Sequence, residues 1–129
     1  MTAPRATTAP TDSFQIERRG EIAVITPSPE VESMSESLIE QAAQMVLAPL
    51  KENPPSGLIV DLSKVSFFGS VFISFLLRCH LLVRKQGAEL VLAGVSDRIR
   101  ELLRLTSLDT LWALYATRDE AMDSLGGSD

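Results

Sequence analysis

Two runs of apolar residues that do not alternate constrain this chain more than anything else in it. They are Leu58-Ile59-Val60 with Leu62, and Leu90-Val91-Leu92-Ala93 after Glu89. A strand with one face in water alternates apolar and polar side chains. A short strand that is apolar in succession is covered on both faces, as in a parallel sheet. The residues between the runs include Val71 to Gln86, long enough for the helical crossover that parallel strands require. The chain is therefore expected to build an α/β layer structure with a mostly parallel sheet.

The remaining segments fit around that centre. Phe14, Ile16 and Arg18 alternate with Gln15 and Glu17, and Ile22, Val24 and Thr26 alternate with Ala23 and Ile25, so Arg19-Gly20 is read as the turn of an N-terminal hairpin. A first helix is expected from about Ser33, where Ser33 and Glu36 have capping-box spacing, and Pro49 should end or kink it. The second helix runs from Val71 to Gln86 and stops at Gly87. Ser96 or Asp97 caps a third helix. Leu111 to Tyr115 is read as a last short strand, and Thr117 with Glu120 opens a fourth helix. The predicted order is β-β-α-β-α-β-α-β-α, with about four helices. Residues 1–13, rich in Thr, Ala and Pro, are expected to form a flexible tail, residues 14–125 one domain, and residues 126–129 a C-terminal tail.

Composition excludes several functions. At 129 residues and a net charge of −5, the chain has neither the length for two domains nor the basic surface of a nucleic-acid binder. No apolar segment is long enough to cross a bilayer and no secretory leader is visible, so a cytoplasmic protein without membrane insertion is expected. One cysteine, Cys79, and one histidine, His80, cannot assemble a metal site. No phosphate-cradling glycine motif and no nucleophile elbow occurs. Asp61, at the carboxyl end of a strand, stands where α/β enzymes place acids, but it has no partner in the sequence and reads as the cap of the following turn. No catalytic set and no cofactor is expected.

The segment that stands out is Ser66-Phe67-Phe68-Gly69-Ser70-Val71-Phe72-Ile73, which joins a buried strand to a helix with an unusually narrow polar stripe of Ser74, Arg78 and Lys85. Ser70 sits where an N-cap belongs. The same position, at the positive end of a helix, would also tolerate a phosphate. Glu32, Glu36 and Glu40 read as a solvated helix face. Arg98, Arg100 and Arg104 read as solvent-facing, and Met34, Met45 and Met122 as gap-fillers.

Four pieces of the chain resemble the sulfate transporter and anti-sigma factor antagonist (STAS) domain. They are Leu58-Ile59-Val60-Asp61-Leu62-Ser63, Gly87-Ala88-Glu89-Leu90-Val91-Leu92, Leu102-Leu103-Arg104-Leu105-Thr106-Ser107-Leu108 and Glu120-Ala121. The resemblance implies a non-catalytic, bacterial signalling domain that binds an anti-sigma factor with serine kinase activity and loses that binding when a serine at the start of the second long helix is phosphorylated. In that register Ser70 falls on the phosphorylated serine, Gly69 replaces the family's aspartate, Val71 its second hydroxyl residue and Phe72 its glycine.

Ser70 is thus the phosphoacceptor candidate, and Asp61, Gly69, Val71, Phe72 and Ile73 are the candidates for partner contact. Phe72 is expected to stand at least partly exposed as an aromatic anchor for a partner protein or a second copy of the chain. The alternative is a constitutive scaffold subunit of a signalling or transporter complex, never phosphorylated, which the changes at Gly69 and Phe72 favour. An enzyme or nucleotide binder on the same layers has only Asp61 in its support.

Overall fold

The computed structural model describes residues 13–126; residues 1–12 of the expected tail 1–13, and the last three residues, lie outside it. A four-stranded sheet in the order β1-β2-β3-β4 is built from β1 (Phe14–Arg19), β2 (Ile22–Pro27), β3 (Gly57–Asp61) and β4 (Glu89–Ala93). The hairpin β1–β2 is antiparallel, and β2–β3 and β3–β4 are parallel. Helices α1 (Glu36–Glu52) and α2 (Ser70–Lys85) pack together on one face of the sheet. Helix α4 (Arg118–Ser124) lies against β3 and β4 on the other, and α3 (Asp97–Leu105) follows β4. The fold class expected from the apolar runs is the one observed.

The two-sided core explains the strand pattern. The larger cluster includes Ala23, Ile25, Leu58, Val60, Leu90 and Leu92 under α1 and α2, and the smaller places Val24, Ile59, Val91 and Ala93 against Ala121 and Met122 of α4. Strand β2 alternates in sequence only weakly and is buried along its whole length, because it lies inside the sheet and its two faces enter the two clusters, Ala23 and Ile25 the larger, Ile22 and Val24 the smaller. Helix α2 ends as expected in a Schellman motif: Ala88 N–H donates to Val83 O at 2.8 Å, Gly87 N–H to Arg84 O at 3.0 Å, and Gly87 has φ +84.

Four local expectations are corrected. Ser33 ends a 3-10 turn, Pro29–Glu32, and the cap of α1 is Ser35, whose hydroxyl accepts from Leu38 N–H at 3.3 Å. Pro49 does not end α1, which continues to Glu52 with the proline inside it. Ser13, assigned to the tail by composition, is buried: its carbonyl accepts from Ser28 N–H at 2.8 Å and its hydroxyl donates to Glu30 at 2.8 Å. The expected fifth strand shrinks to a single parallel bridge, Leu92 to Leu114. Leu108–Thr110 winds as a 3-10 turn after Ser107 at φ +62, so only Ala113 to Tyr115 reaches the edge of β4.

Candidate functional site

Strand β3 ends in Asp61, and the turn after it is held by that side chain. Asp61 Oδ1 accepts from Ser63 N–H at 3.0 Å, and Leu62 N–H donates across to Ala93 O at 2.8 Å. Gly94 closes over the turn at φ +64. A Cβ there would lie 2.6 Å from Asp61 Oδ1 and 2.7 Å from Ser63 N, so glycine is required for both conformation and space.

The other carboxylate oxygen of Asp61 meets Arg118, the first residue of α4. Arg118 Nη2 lies 2.9 Å and Nε 3.1 Å from Oδ2, while Nη1 donates to Glu17 at 2.8 Å and Nη2 to Thr26 Oγ1 at 3.0 Å. Burial pushes the Asp61 carboxyl up, but the hydrogen bonds from Ser63 and Arg118 outweigh it and hold it below the ordinary carboxylate value. Asp61 is therefore a buried clamp between β3, its turn and α4, and its side chain is not offered to a partner. The turn-capping reading holds, with an arginine partner that no spacing in the sequence announces.

From the turn the chain runs to α2 through Lys64–Gly69. Val65 and Phe68 are buried. Glu32 accepts from both Ser66 N–H, at 2.9 Å, and Ser66 Oγ, at 3.1 Å, and the backbone bond from Ser66 is the first cause holding its carboxyl below the ordinary value. Arg98 of α3 places its guanidinium 5.7 Å from the centre of the Phe67 ring, which is 45% exposed. Glu32 and Arg98 are thus tied to the loop, where the sequence read them only as solvated charges.

The loop delivers Gly69 and Ser70 to the start of α2. Ser70 is exposed and is the first helical residue, not the cap; the cap position is Gly69, which has no side chain to offer. A Cβ at Gly69 would meet nothing within 4 Å, so the glycine is not demanded by space. Its consequence is that the cap position supplies no side-chain acceptor to the first turn of α2. Val71 and Ile73 are half-buried.

Phe72 corrects the expectation made for it. Its ring is 1% exposed and lies between Phe68, 5.1 Å away, and Phe75, 5.6 Å away. Three successive apolar residues at the start of a helix cannot all face one sheet. The two that turn aside are Val71 and Ile73, and the phenylalanine takes the core. The exposed ring of this segment is Phe67.

Ser70 also lines a cleft of about 230 Å3 between α1 and α2, with Glu36, Glu40, Ser74 and Arg78 around a floor that includes Ile39 and Phe75. Arg78 Nη1 donates to Glu40 at 2.9 Å; among the described residues Glu36 has no ionic partner. The cleft therefore offers two hydroxyls, the Glu36 carboxylate and the Glu40–Arg78 ion pair. Among the described residues no three acids, histidines or cysteines could hold a metal, and no helix is long and apolar enough to cross a membrane. Cys79 is buried and burial pushes its thiol up to about 12, so it is no nucleophile.

The family model of the STAS domain matches residues 13–121. Among solved structures, an anti-sigma-factor antagonist (STAS) domain protein from Planctomyces limnophilus is 29% identical with a TM-score of 0.74, over 87% of this chain and 96% of that one. An anti-sigma factor antagonist from Mycobacterium paratuberculosis is 27% identical with a TM-score of 0.71, over 88% and 92%. The anti-sigma factor antagonist SpoIIAA in its unphosphorylated form is 20% identical with a TM-score of 0.73, over 90% and 98%, a likeness of fold. No curated protein matches the chain.

Proposed function

The chain belongs to the STAS domain family, and we propose that it is a non-catalytic protein-binding switch of the anti-sigma factor antagonist kind, with Ser70 as its phosphoacceptor. The observation that carries this reading is the placement of Ser70: exposed, at the first position of α2, behind a loop held by Asp61, Glu32 and Arg98. A hydroxyl so placed is reachable, and the uncapped first turn of a sixteen-residue helix favours negative charge. Phosphorylation would add about −1.5 to −2 charges there. The partner is an anti-sigma factor with serine kinase activity, which would read Ser70 together with Gly69, Val71, Ile73 and Phe67. Phe72 and Asp61 support that surface from beneath.

A second reading is favoured by one observation. Glu36 and Glu40 line the same cleft as Ser70, so a phosphate on Ser70 would enter a site that already carries carboxylates. That arrangement suits a constitutive scaffold whose Ser70 stays unmodified.

The two separate in one experiment. The partner is captured from the native cell and purified, and its affinity for wild type, Ser70→Ala and Ser70→Asp is compared, with mass spectrometry of the wild type after incubation with the partner and ATP. Phosphate on Ser70 and weakened binding of Ser70→Asp support the switch. Equal binding of all three with no modification supports the scaffold.

A further inference from the structure

We propose that the outer edge of β1 and the adjoining flank of α1 form a docking surface for a second copy of this chain, the two β1 strands pairing antiparallel about Ile16. The hairpin decides which backbone groups face outward. Arg19 and Ile22 close a two-residue turn, so Arg19, Glu17 and Gln15 exchange hydrogen bonds with β2. The bond from Ser28 N–H to Ser13 O, 2.8 Å, continues the same alternation. The N–H and C=O groups of Phe14, Ile16 and Arg18 therefore point away from β2. No strand lies on that side, and among the described residues no backbone or side-chain group bonds to them. The opposite edge of the sheet differs. There Leu92 N–H donates to Ala113 O at 3.0 Å and Leu92 O accepts from Tyr115 N–H at 2.8 Å, so β4 is partly covered. An open edge is a template for another strand.

The flank of α1 beside this edge is apolar. Helix α1 packs on β1, and Arg18 Nη2 donates to Asn53 O at the end of the helix, which draws that charge back from the edge. Glu40 turns toward α2, where Arg78 holds it. Leu38 and Met45 stand about 140–200° round the helix from Glu40, on the flank away from α2, and are 40% and 52% exposed. A two-fold axis through Ile16, perpendicular to the sheet, keeps α1 of both copies on one face. The paired strands lie about 4.8 Å apart, so Leu38 and Met45 of each copy come together over the seam. Charge selects the register. Outward groups pair only with outward groups. With Ile16 opposite Ile16, Gln15 faces Glu17 of the second copy and Phe14 faces Arg18. The next register sets Glu17 against Glu17, and the one after sets Arg18 against Arg18; like charges directly opposite are destabilising. In the favoured register Glu17, fixed by Arg118 at 2.8 Å, is placed to accept from the Gln15 amide of the second copy. A self-complementary edge closes at two copies. Ser70 lies in the cleft on the other flank of α1, so this surface stands without the phosphoacceptor reading.

Sedimentation equilibrium of the full chain, with amide hydrogen exchange, tests the pairing. Wild type should show a monomer–dimer equilibrium, and the Ile16 and Arg18 amides should exchange more slowly as concentration rises. Met45→Glu should weaken the dimer by about tenfold or more, since a charge without a partner is then buried at the seam. Gln15→Lys should tighten the dimer several-fold and Gln15→Glu weaken it several-fold, because the new charge meets Glu17 twice by symmetry. Gln15 and Met45 are exposed in the single copy, so these variants keep the fold. A monomer at every concentration overturns the proposal. So does a dimer indifferent to Met45→Glu, or one whose Ile16 and Arg18 amides stay unprotected. Opposite signs for the two Gln15 variants overturn it as well, since they mean that Gln15 faces Arg19 and not Glu17. Ser70→Ala should dimerise as wild type does, so failure here and failure of the Ser70 experiment are told apart.

Discussion

Arg118 and Asp61, 57 residues apart, meet at 2.9 Å on the face of the sheet that α4 covers. The pair joins the end of β3 to the start of α4, and through Glu17 and Thr26 the same guanidinium reaches β1 and β2. One side chain thus ties α4 to three strands at the end of the sheet where the loop to Ser70 begins.

Removing that tie should loosen the loop as well as α4. Arg118→Ala leaves Asp61, whose side chain is only 8% exposed, without the guanidinium that meets its Oδ2 through both Nη2 and Nε. A charged hydrogen bond contributes about 1.5–3 kcal/mol, and urea unfolding should show a loss of that order. The Asp61 contribution is pH-dependent. Its folded carboxyl titrates below the ordinary value of 3.8, so the folded state binds fewer protons than the unfolded state. Stability is then full above that value and is lost as pH falls through the lower folded value. The stability gap between wild type and Asp61→Asn should close on acidification; a gap that widens would refute the assignment.

Trp112 gives a second pH-dependent readout. Its buried indole N–H donates to His80 Nδ1 at 3.0 Å, so this nitrogen must be unprotonated and the neutral ring carries its proton on Nε2. Burial, then the nearby Arg84, holds the imidazole below its ordinary value of 6.5. Acidification below that value favours the unfolded state, which protonates first. The fluorescence of Trp112, the one tryptophan, should shift as His80 protonates below pH 6.5, and His80→Phe should remove the shift.

Phe72→Ala should unfold the protein more than it alters any surface. A core Phe→Ala change costs about 3–5 kcal/mol, and Phe72 has Phe68 and Phe75 on either side. Phe67→Ala, at an exposed ring, should leave the unfolding midpoint nearly in place. The reverse order in guanidinium titrations would return Phe72 to the surface.

Helix caps separate Ser70 from the other serines. Ser96 caps α3 through a 3.2 Å bond from Ile99 N–H, and Thr117 caps α4 through 3.1 Å from Glu120 N–H. Replacing either by alanine should cost about 1 kcal/mol. Ser70→Ala, at the first helical position, should cost much less. A cost equal to Ser96→Ala by differential scanning calorimetry would restore Ser70 as a cap.

Gly94→Ala should be among the most damaging single changes. A side chain at φ +64 carries about 1–2 kcal/mol of backbone strain, and its Cβ would press on Asp61 and on the backbone of Ser63. A melting temperature equal to that of wild type would show that the turn after β3 can move aside.

The amino-acid sequence by itself determined the layers, because they follow from local periodicity. Leu58–Val60 and Leu90–Ala93 announce covered strands, Gly87 stops α2, and Thr117 caps α4, each through contacts within a few residues. It also brought Ser70 to a helix start. What only the tertiary structure decided was which side chain meets which across long separations. The sequence shows Phe72 and Phe67 as two similar rings five residues apart. Their opposite fates depend on where Phe68, Phe75 and Arg98 stand around them. Asp61 needed Arg118, Glu32 needed Ser66, and Arg78 of α2 met Glu40 of α1. Such pairings leave no period in the chain. They depend on the angle at which helices cross the sheet, and that angle is set by the packing of the whole core rather than by any one segment.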